Sequence, residues 1–239
     1  ISAYFICIHF GTQAGFSRDT LSKMAFGLTI LGIVGSRIVH IVEHWSHFAA
    51  SPMRILAFRD GGLAIYGAIL AVILGILLYT YATGMNFWRL MDAIVIGVPF
   101  AFIIGRFGCL IMGDAWGWPT KASWGIVYWH SDTSIPSQFL GVPTFPAPIM
   151  LQLWNLGLLI VLLNLRYHVQ TDGILFSVYL IVYSLGRFII NTWQVGDTFF
   201  IGLKFTQLLA LGLITTGFIL IIVLTKRTQD QNEKMAKLS

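Results

Sequence analysis

Six apolar segments of about twenty residues each constrain this chain more than any other feature of its sequence. They cover residues 24–42, 61–84, 90–112, 147–165, 173–193 and 205–225. A helix of about 20 residues crosses the hydrocarbon core of a bilayer, and each segment is bounded by polar, Gly or Pro residues. Charged residues make up only 10% of the chain, against about 25% in soluble domains. The pattern predicts an all-α polytopic membrane protein.

The first ten residues, ISAYFICIHF, are apolar but too short to cross a bilayer. We interpret them as the end of a helix that begins before residue 1, although a cleaved signal peptide fits them as well. The chain would then form seven transmembrane helices in a single domain over residues 1–225. Residues 113–146, which contain four prolines and several aromatic residues, are expected to form an ordered cap on the membrane surface. The polar tail, residues 226–239, is expected to be frayed or weakly helical.

Lysine and arginine counts in the loops predict the orientation of the chain. The loops after the first, third and fifth helices, together with the tail, hold eight basic residues, and the opposite loops hold four. Because cytoplasmic loops carry the excess of Lys and Arg, we expect the C-terminus in the cytoplasm and the N-terminus and cap outside. The basic residues are dispersed, so the net charge of +5 does not indicate nucleic-acid binding.

The cysteines and histidines do not form a metal-binding pattern. Cys7 and Cys109 are too few and too isolated for a disulfide framework or a metal site, and we expect both to pack in apolar surroundings. His40, His44 and His47 lie near a helix end, where His44 and His47 could share a helical face. No carboxylate or thiol pattern completes such a site, so we expect no metal and no cofactor.

Three arginines, Arg37, Arg106 and Arg187, lie inside the apolar segments, in LGIVGSRIVHIV, FIIGRFGCL and YSLGRFIIN. A charge at the bilayer centre costs at least about 2.5–3.5 kcal/mol. Each arginine could extend to the interface, or the three could bind an anion. The small residues before each arginine leave room for another group and favour an anionic lipid, because guanidinium groups hold phosphate oxygens bidentately. Asp92 could pair with Arg89 or Arg106 in a structural role.

The segment GRFGCLIMGDAWGWPT resembles the signature of the prolipoprotein diacylglyceryl transferase family, G-R-x-G-N-F-x-N-x-E-x-x-G. LGIVGSRIVHIV resembles the family's G-x-R helix, and ILAFRDGGLAIYGAILA resembles its W-x-GG-L-x-x-H-GG stretch. VPTFPAPIMLQLW and GILFSVYLIVYSLGRFIINTWQVGD are similar to its H-P-[TA]-x-x-Y-E and R-F-x-x-E-x-x-R-x-x-D segments. Gln207 stands at the glutamine of the family's last helix. The resemblance covers nearly the whole chain after residue 10.

This resemblance implies a seven-helix enzyme of the bacterial plasma (inner) membrane with its N-terminus outside. The family transfers the diacylglyceryl group of phosphatidylglycerol to the lipobox cysteine of a preprolipoprotein, and glycerol phosphate leaves. It implies that Arg106 and Arg187 hold the phosphate of phosphatidylglycerol or another anionic lipid, with Arg37 as a third lipid ligand. Tyr66 and Asp114 are the candidate acid/base groups. The glycines expected to let the chain turn and approach the lipid are Gly105, Gly108 and Gly113.

Several polar positions of the family pattern have changed in this sequence. The residues that stand at them are Tyr66, Cys109, Met112, Asp114, Phe145, Met150, Leu151, Asn191 and Gln194. Two interpretations therefore stay open. The chain is either an active transferase, in which Tyr66 or Asp114 serves as the base, or a catalytically silent, lipid-binding subunit of a larger membrane complex. A transporter or channel is less favoured, because paired internal repeats are absent from the sequence.

Overall fold

The computed structural model describes residues 2–50 and 64–237, which fold mainly into α-helices. The α-helices are α1 (Ser2–Gln13), α2 (Arg18–Glu43), α3 (Trp45–Ala50), α4 (Ile65–Thr83), α5 (Phe87–Val95), α6 (Gly97–Met112), α7 (Ala147–Leu165), α8 (Ile174–Ile190) and α9 (Phe205–Ala236). One 3-10 turn, Ser137–Phe139, lies between α6 and α7. These described residues contain isolated β-bridges but no β-strand, so the all-α class is confirmed.

Five helical segments within the described residues are long and apolar enough to cross a membrane. They are Arg18–Glu43, Tyr66–Thr83, Phe87–Met112, Ala147–Leu165 and Phe205–Lys234. Helix α8 is also apolar but has only 17 residues. The prediction of a protein with several membrane-spanning helices is therefore confirmed. Residues 61–63, with which the second predicted segment begins, lie outside the described part of the chain.

Helix α2 begins six residues before the apolar segment that predicted it. Ser17 caps the helix, because its hydroxyl accepts a hydrogen bond from the backbone N–H of Thr20 at 3.1 Å. A serine at this position satisfies one of the amides that the first turn leaves without a partner. The polar first turn also carries an ion pair between Asp19 and Lys23, at 2.6 Å. Capping therefore extends the helix beyond its apolar residues.

The predicted segment 90–112 is divided into two helices. Helix α5 ends at Val95, and α6 begins at Gly97. Proline has no N–H, and its ring clashes with the carbonyl four residues earlier, which for Pro99 is the carbonyl of Val95. The break therefore falls where Pro99 requires it.

The tail is more regular than the sequence predicted. Helix α9 continues without interruption from Phe205 to Ala236, so the described part of the tail, which was expected to be frayed or weakly helical, is helical. Residues 226–236 are rich in Lys, Gln, Arg and Glu and contain neither Gly nor Pro. Such residues have high helix propensity, and here they extend a helix that is already formed.

Residues 8–90 form one compact unit, in which α2 packs against α4. Glycines make the close approach possible. A Cβ on Gly67 would lie 2.8 Å from Cβ of Val39 and would overlap the carbonyl oxygen of Gly35. A Cβ on Gly35 would lie 2.8 Å from the carbonyl oxygen of Gly67. The two backbones therefore meet where neither has a side chain, as in many transmembrane helix pairs.

Residues 1–7 and 91–239 form the second compact unit. Here α6 packs on α7, α7 on α8 and α8 on α9. Side-chain amides and an indole join neighbouring helices, since Gln152 Nε2 donates to the Ile103 carbonyl at 2.9 Å and Trp154 Nε1 to the Val182 carbonyl at 2.8 Å. Residues 113–146, which we call the cap segment, fold against the C-terminal ends of α6 and α8.

Candidate functional site

Arg106 and Arg187 lie on helices that end at the same segment of the chain. The carbonyl of Met112, at the end of α6, accepts a hydrogen bond from Ser134 N–H at 2.8 Å. The carbonyl of Trp193, just after α8, accepts one from Trp118 N–H at 2.9 Å. Because both donors belong to the cap segment, α6 and α8 approach the cap with their C-terminal ends.

A stacked aromatic pair sets the relative level of the two arginines. The rings of Phe102 on α6 and Tyr183 on α8 stack with their centroids 5.3 Å apart. Arg106 follows Phe102 by four residues, and Arg187 follows Tyr183 by four. Residues four apart share one face of a helix, about one turn apart. Both arginines therefore lie about one turn beyond the stacked rings, on the side towards the cap.

The guanidinium of Arg106 is only partly committed to contacts within the protein. Among the described residues, its side-chain partner is the sulfur of Cys109, at 3.7 Å from Nη1. Arginine has five N–H donors in a planar fork, so most of them remain available to a ligand. The side chains of Arg106 and Arg187 are both half-buried, which limits competition from water without closing the site.

Tyr128 of the cap segment lies close to this pair of residues. Its side chain is buried with Trp116 and Ile135. Burial raises the pKa of the Tyr128 phenol, and the nearby Cys109 thiol raises it further. A phenol with a raised pKa stays protonated and can donate a hydrogen bond. Tyr128 was not predicted as a site residue, because nothing in its local sequence distinguishes it from the other aromatic residues of the cap.

Arg37 and Tyr66 belong to the unit of residues 8–90. Arg37 is 4% exposed and its guanidinium carbon lies 5.2 Å from the centroid of the Phe48 ring, within the range of a cation–π contact. Tyr66 lies in the first turn of α4 and is 46% exposed. Both residues therefore lie on described helices, where Arg37 is buried and Tyr66 is exposed.

The remaining predicted site residues lie at and before the end of α6. Gly113 ends the helix in the left-handed conformation, with φ of 73°, which a side chain would strain. Asp114 follows it and is exposed. A Cβ on Gly105 or on Gly108 would meet no atom within 4 Å, so these glycines border open space rather than a neighbouring helix.

Asp92 has a different partner from those that the sequence suggested. Its two carboxylate oxygens accept hydrogen bonds from Gly173 N–H at 2.6 Å and Phe176 N–H at 2.8 Å. These amides belong to the N-terminus of α8, where a carboxylate also compensates the helix dipole. Asp92 is therefore a structural residue, as expected, but it caps α8 instead of pairing with Arg106.

A polar network closes the C-terminal end of α8. The Lys204 ammonium donates to the carbonyls of Asn191, at 2.6 Å, and Gln194, and burial lowers the pKa of Lys204. Gln207 accepts from Lys204 N–H at 3.0 Å and donates to the Phe188 carbonyl at 3.2 Å. The Asn191 amide donates to Thr206 Oγ1 at 2.8 Å. In the sequence, Lys204 counts only as a basic residue of a loop. In the structure, the loop between α8 and α9 places its ammonium next to the carbonyls at the end of α8.

An apolar groove of about 540 Å³ lies between α7 and α8. Its lining includes Trp154 and Gly157 of α7, Val182 and Ile190 of α8, and Trp193. Trp154 fits closely against α8 because Gly186 has no side chain, and a Cβ there would overlap the indole ring. Its indole N–H is already bonded to Val182, so the groove offers surface for hydrocarbon rather than for polar groups.

The changed family positions on α7 contribute to this apolar surface. Leu151 is 1% exposed and packs in a cluster with Ala147 and Ile190, against which Met150 and Phe145 also lie. Where the family pattern has a tyrosine and a glutamate, this chain has residues that fill a core. Any acid/base group must therefore come from another part of the chain.

Five described helical segments long and apolar enough to cross a membrane define a multi-pass membrane protein, and half-buried arginines lie on α6 and α8. The chain belongs to the prolipoprotein diacylglyceryl transferase family, whose model matches residues 1–223. It is 30% identical over 225 residues to a phosphatidylglycerol–prolipoprotein diacylglyceryl transferase of Clostridioides difficile, covering 94% of this chain and 86% of that protein. It is 32% identical over 223 residues to transferase 2 of Clostridium perfringens, covering 92% and 85%. A Bacillus cereus transferase is 29% identical over 220 residues, covering 92% and 82%.

Proposed function

We propose that this protein transfers the diacylglyceryl group of phosphatidylglycerol to the lipobox cysteine of a prolipoprotein. The observation that carries the proposal is family membership over residues 1–223, with similar transferases matched along more than four fifths of their own length. The thiolate of the substrate cysteine attacks the carbon of the diacylglyceryl group that is bonded to the phosphate oxygen. A C–S bond forms, the C–O bond breaks, and glycerol phosphate leaves with the electron pair.

Arg106 and Arg187 are the proposed phosphate ligands. Their common level on α6 and α8 supports the assignment, because two guanidinium groups could then hold one phosphate between them. Positive groups aimed at the leaving phosphate stabilise the charge that develops on it in the transition state. Tyr128 would add a neutral hydrogen-bond donor from the cap segment. Arg37, on the other compact unit, remains the third candidate.

Tyr66 and Asp114 remain the candidates for removing the thiol proton. Both are exposed, which leaves them accessible to a substrate peptide. An ordinary cysteine thiol has a pKa of about 8.5, so a modest general base suffices to form the thiolate. The nucleophile belongs to the substrate, and the enzyme therefore needs no catalytic cysteine of its own.

One acyl chain of the lipid is proposed to occupy the groove between α7 and α8. The groove lies on helices that a bilayer surrounds, its lining is hydrocarbon and aromatic, and its volume of about 540 Å³ falls in the usual range of ligand sites, about 300–1,000 Å³. Its lining residues on α8, Val182 and Ile190, lie within five residues of Arg187 on either side. A lipid whose phosphate is held by Arg187 could therefore lay a chain there.

We also propose seven transmembrane helices, with the cap segment outside, the C-terminus in the cytoplasm, and the protein in the bacterial inner membrane. The eight-to-four distribution of basic loop residues supports this orientation. The silent-subunit alternative is less favoured, because the relatives that match nearly the whole chain bear the names of transferases.

The test is transfer of a labelled diacylglyceryl group from phosphatidylglycerol to a lipobox-cysteine peptide by the purified full-length protein. Arg106→Ala should lower the turnover number about 100-fold or more, as removal of a preorganised donor does. Arg227→Ala, which changes an exposed arginine on α9, should leave transfer unchanged. Lipid that co-purifies with a wild-type protein unable to transfer it would instead establish the silent alternative.

A further inference from the structure

The last turn of α2 and the C-cap residue that follows it, His44, bring together two imidazoles and a carboxylate that the transferase chemistry does not use. His40, Glu43 and His44 each offer one ligand atom, and these atoms lie within 4.8 Å of one another. Positions i, i+3 and i+4 share one face of a helix. Two histidines four residues apart on a helix are a known zinc-binding arrangement. The sequence HIVEH thus carries the signal, and the expectation that no carboxylate completes a histidine site overlooked Glu43.

The hydrogen bond made by His44 orients its ring for metal binding. Nδ1 of His44 lies 3.1 Å from the carbonyl oxygen of His40. A carbonyl can only accept, so Nδ1 carries the proton and Nε2 presents its lone pair. Metal-binding histidines characteristically donate their second ring N–H to a backbone carbonyl or a carboxylate. His44 is therefore already in the tautomer that a metal ion requires.

The ring of His40 is held beside that of His44. The two ring centroids are 4.4 Å apart, and the rings of His40 and Phe48 form a T-shaped contact with their centroids 5.8 Å apart. Phe48 is buried, so it gives the imidazole a fixed support. Two imidazoles this close would repel each other if both were protonated, whereas two neutral rings can share one cation. The C-terminus of a helix adds a favourable field for positive charge.

We propose that His40, Glu43 and His44 form a binding site for a divalent transition-metal ion of the Zn²⁺ class. Two imidazole nitrogens and one carboxylate oxygen are a donor set that Zn²⁺ takes, with the fourth position left to water. Zinc bonds to these donors are about 2.0–2.2 Å long, so any ligand atoms near the upper limit of 4.8 Å must move closer together. Glu43 and His44 are exposed, and rotation of their side chains accomplishes this. The proposal is independent of the transferase activity.

The test is a zinc titration of the full-length protein, purified in detergent through a tag without histidines and stripped with a chelator. We expect one equivalent of Zn²⁺ per chain in competition with a chromogenic chelator, and a tetrahedral Co²⁺ absorption spectrum. His40→Ala and His44→Ala should each weaken Zn²⁺ binding at least about tenfold, since even loss of a supporting contact costs about 10–100-fold. Glu43→Gln should weaken it as well.

His168→Ala is the matched control. His168 is exposed and makes the same local contact as His44, from Nδ1 to the carbonyl of the residue four positions earlier, at 3.0 Å. Its variant should bind Zn²⁺ like the wild type. Equal losses in the His168 and His44 variants, or no saturable binding by the wild-type protein, would overturn the proposal. If the α2 variants do not fold, the Co²⁺ spectrum of the wild-type protein decides, because an octahedral spectrum contradicts the site.

Discussion

Two cationic side chains near α8 and the cap segment are used in different ways. Lys204 donates to two backbone carbonyls at the end of α8, where the helix leaves carbonyls without partners. Arg106 approaches only a sulfur among its described side-chain contacts. A lysine saturated by the backbone stabilises the fold, whereas an arginine with uncommitted donors is suited to a ligand. From sequence position alone, Lys204 would count as a loop charge without a role in the fold, and Arg106 as a residue of a helix with such a role.

Replacement of Lys204 by methionine should destabilise the protein without removing any proposed substrate contact. A hydrogen bond from a charged donor contributes about 1.5–3 kcal/mol, and the carbonyls of Asn191 and Gln194 would lose theirs. We expect a lower midpoint of thermal unfolding in detergent. Lys234→Met, at an exposed position near the end of α9, is the control and should leave the midpoint unchanged. Equal midpoints in both variants would show that Lys204 does not hold α8.

The sequence predicted the arginines more successfully than it predicted their surroundings. Arg37, Arg106 and Arg187 were recognisable because a charge inside an apolar segment is costly. The partners of Asp92 were not, since the amides of Gly173 and Phe176 are more than eighty residues away. Contacts with backbone groups depend on how helix ends meet, and residue types do not encode this directly.

At the scale of elements, close packing of α2 on α4 depends on glycines at the contact. Gly67→Val should separate the helices, because the new side chain would occupy the space of the Gly35 carbonyl and Val39. Overpacking typically costs about 1–3 kcal/mol, and we expect a lower yield of folded protein and a lower unfolding midpoint. Gly27→Val, on α2 and with no atom within 4 Å of the new Cβ, should have little effect.

A larger side chain at a lining position can fill the groove between α7 and α8. Gly157 borders it, and a Cβ there meets no atom within 4 Å, so Gly157→Phe directs a ring towards the groove from a position that is open at Cβ. We expect the KM for phosphatidylglycerol to rise about tenfold, because burying hydrocarbon contributes about 0.8 kcal/mol per CH₂ group. Gly212→Phe on α9, equally open at Cβ, is the control. An unchanged KM in both variants would exclude the groove as the acyl-chain site.

At the scale of the whole molecule, the proposed orientation can be measured with single cysteines. In a Cys7→Ala, Cys109→Ser background, Trp129→Cys would place a thiol at a position of the cap segment that is 78% exposed. A membrane-impermeant maleimide should label it in intact cells. Lys234→Cys, near the end of α9, should react only after the membrane is opened. The reverse pattern would invert the topology inferred from the basic residues.

The apolar segments predicted the class of fold, but the ends of the helices followed other rules. Five described segments qualify as membrane spans, because length and hydropathy are enough to recognise them. The start of α2 is set by the Ser17 cap and the break after α5 by Pro99. Both signals can be recognised in the local sequence, but a search for apolar segments does not detect them. The irregular cap segment, held by backbone hydrogen bonds to the ends of α6 and α8, had no such signal.

The uninterrupted course of α9 has a consequence for how this protein can be studied. Its 32 residues span about 48 Å at about 1.5 Å per residue, whereas the hydrocarbon core of a bilayer is about 30 Å thick. The last turns therefore extend about 18 Å beyond the length that the hydrocarbon core needs. The height of a fluorophore attached to Lys237 above the lipid would depend on bilayer thickness and helix tilt, so its energy transfer to a dye in the membrane would report both.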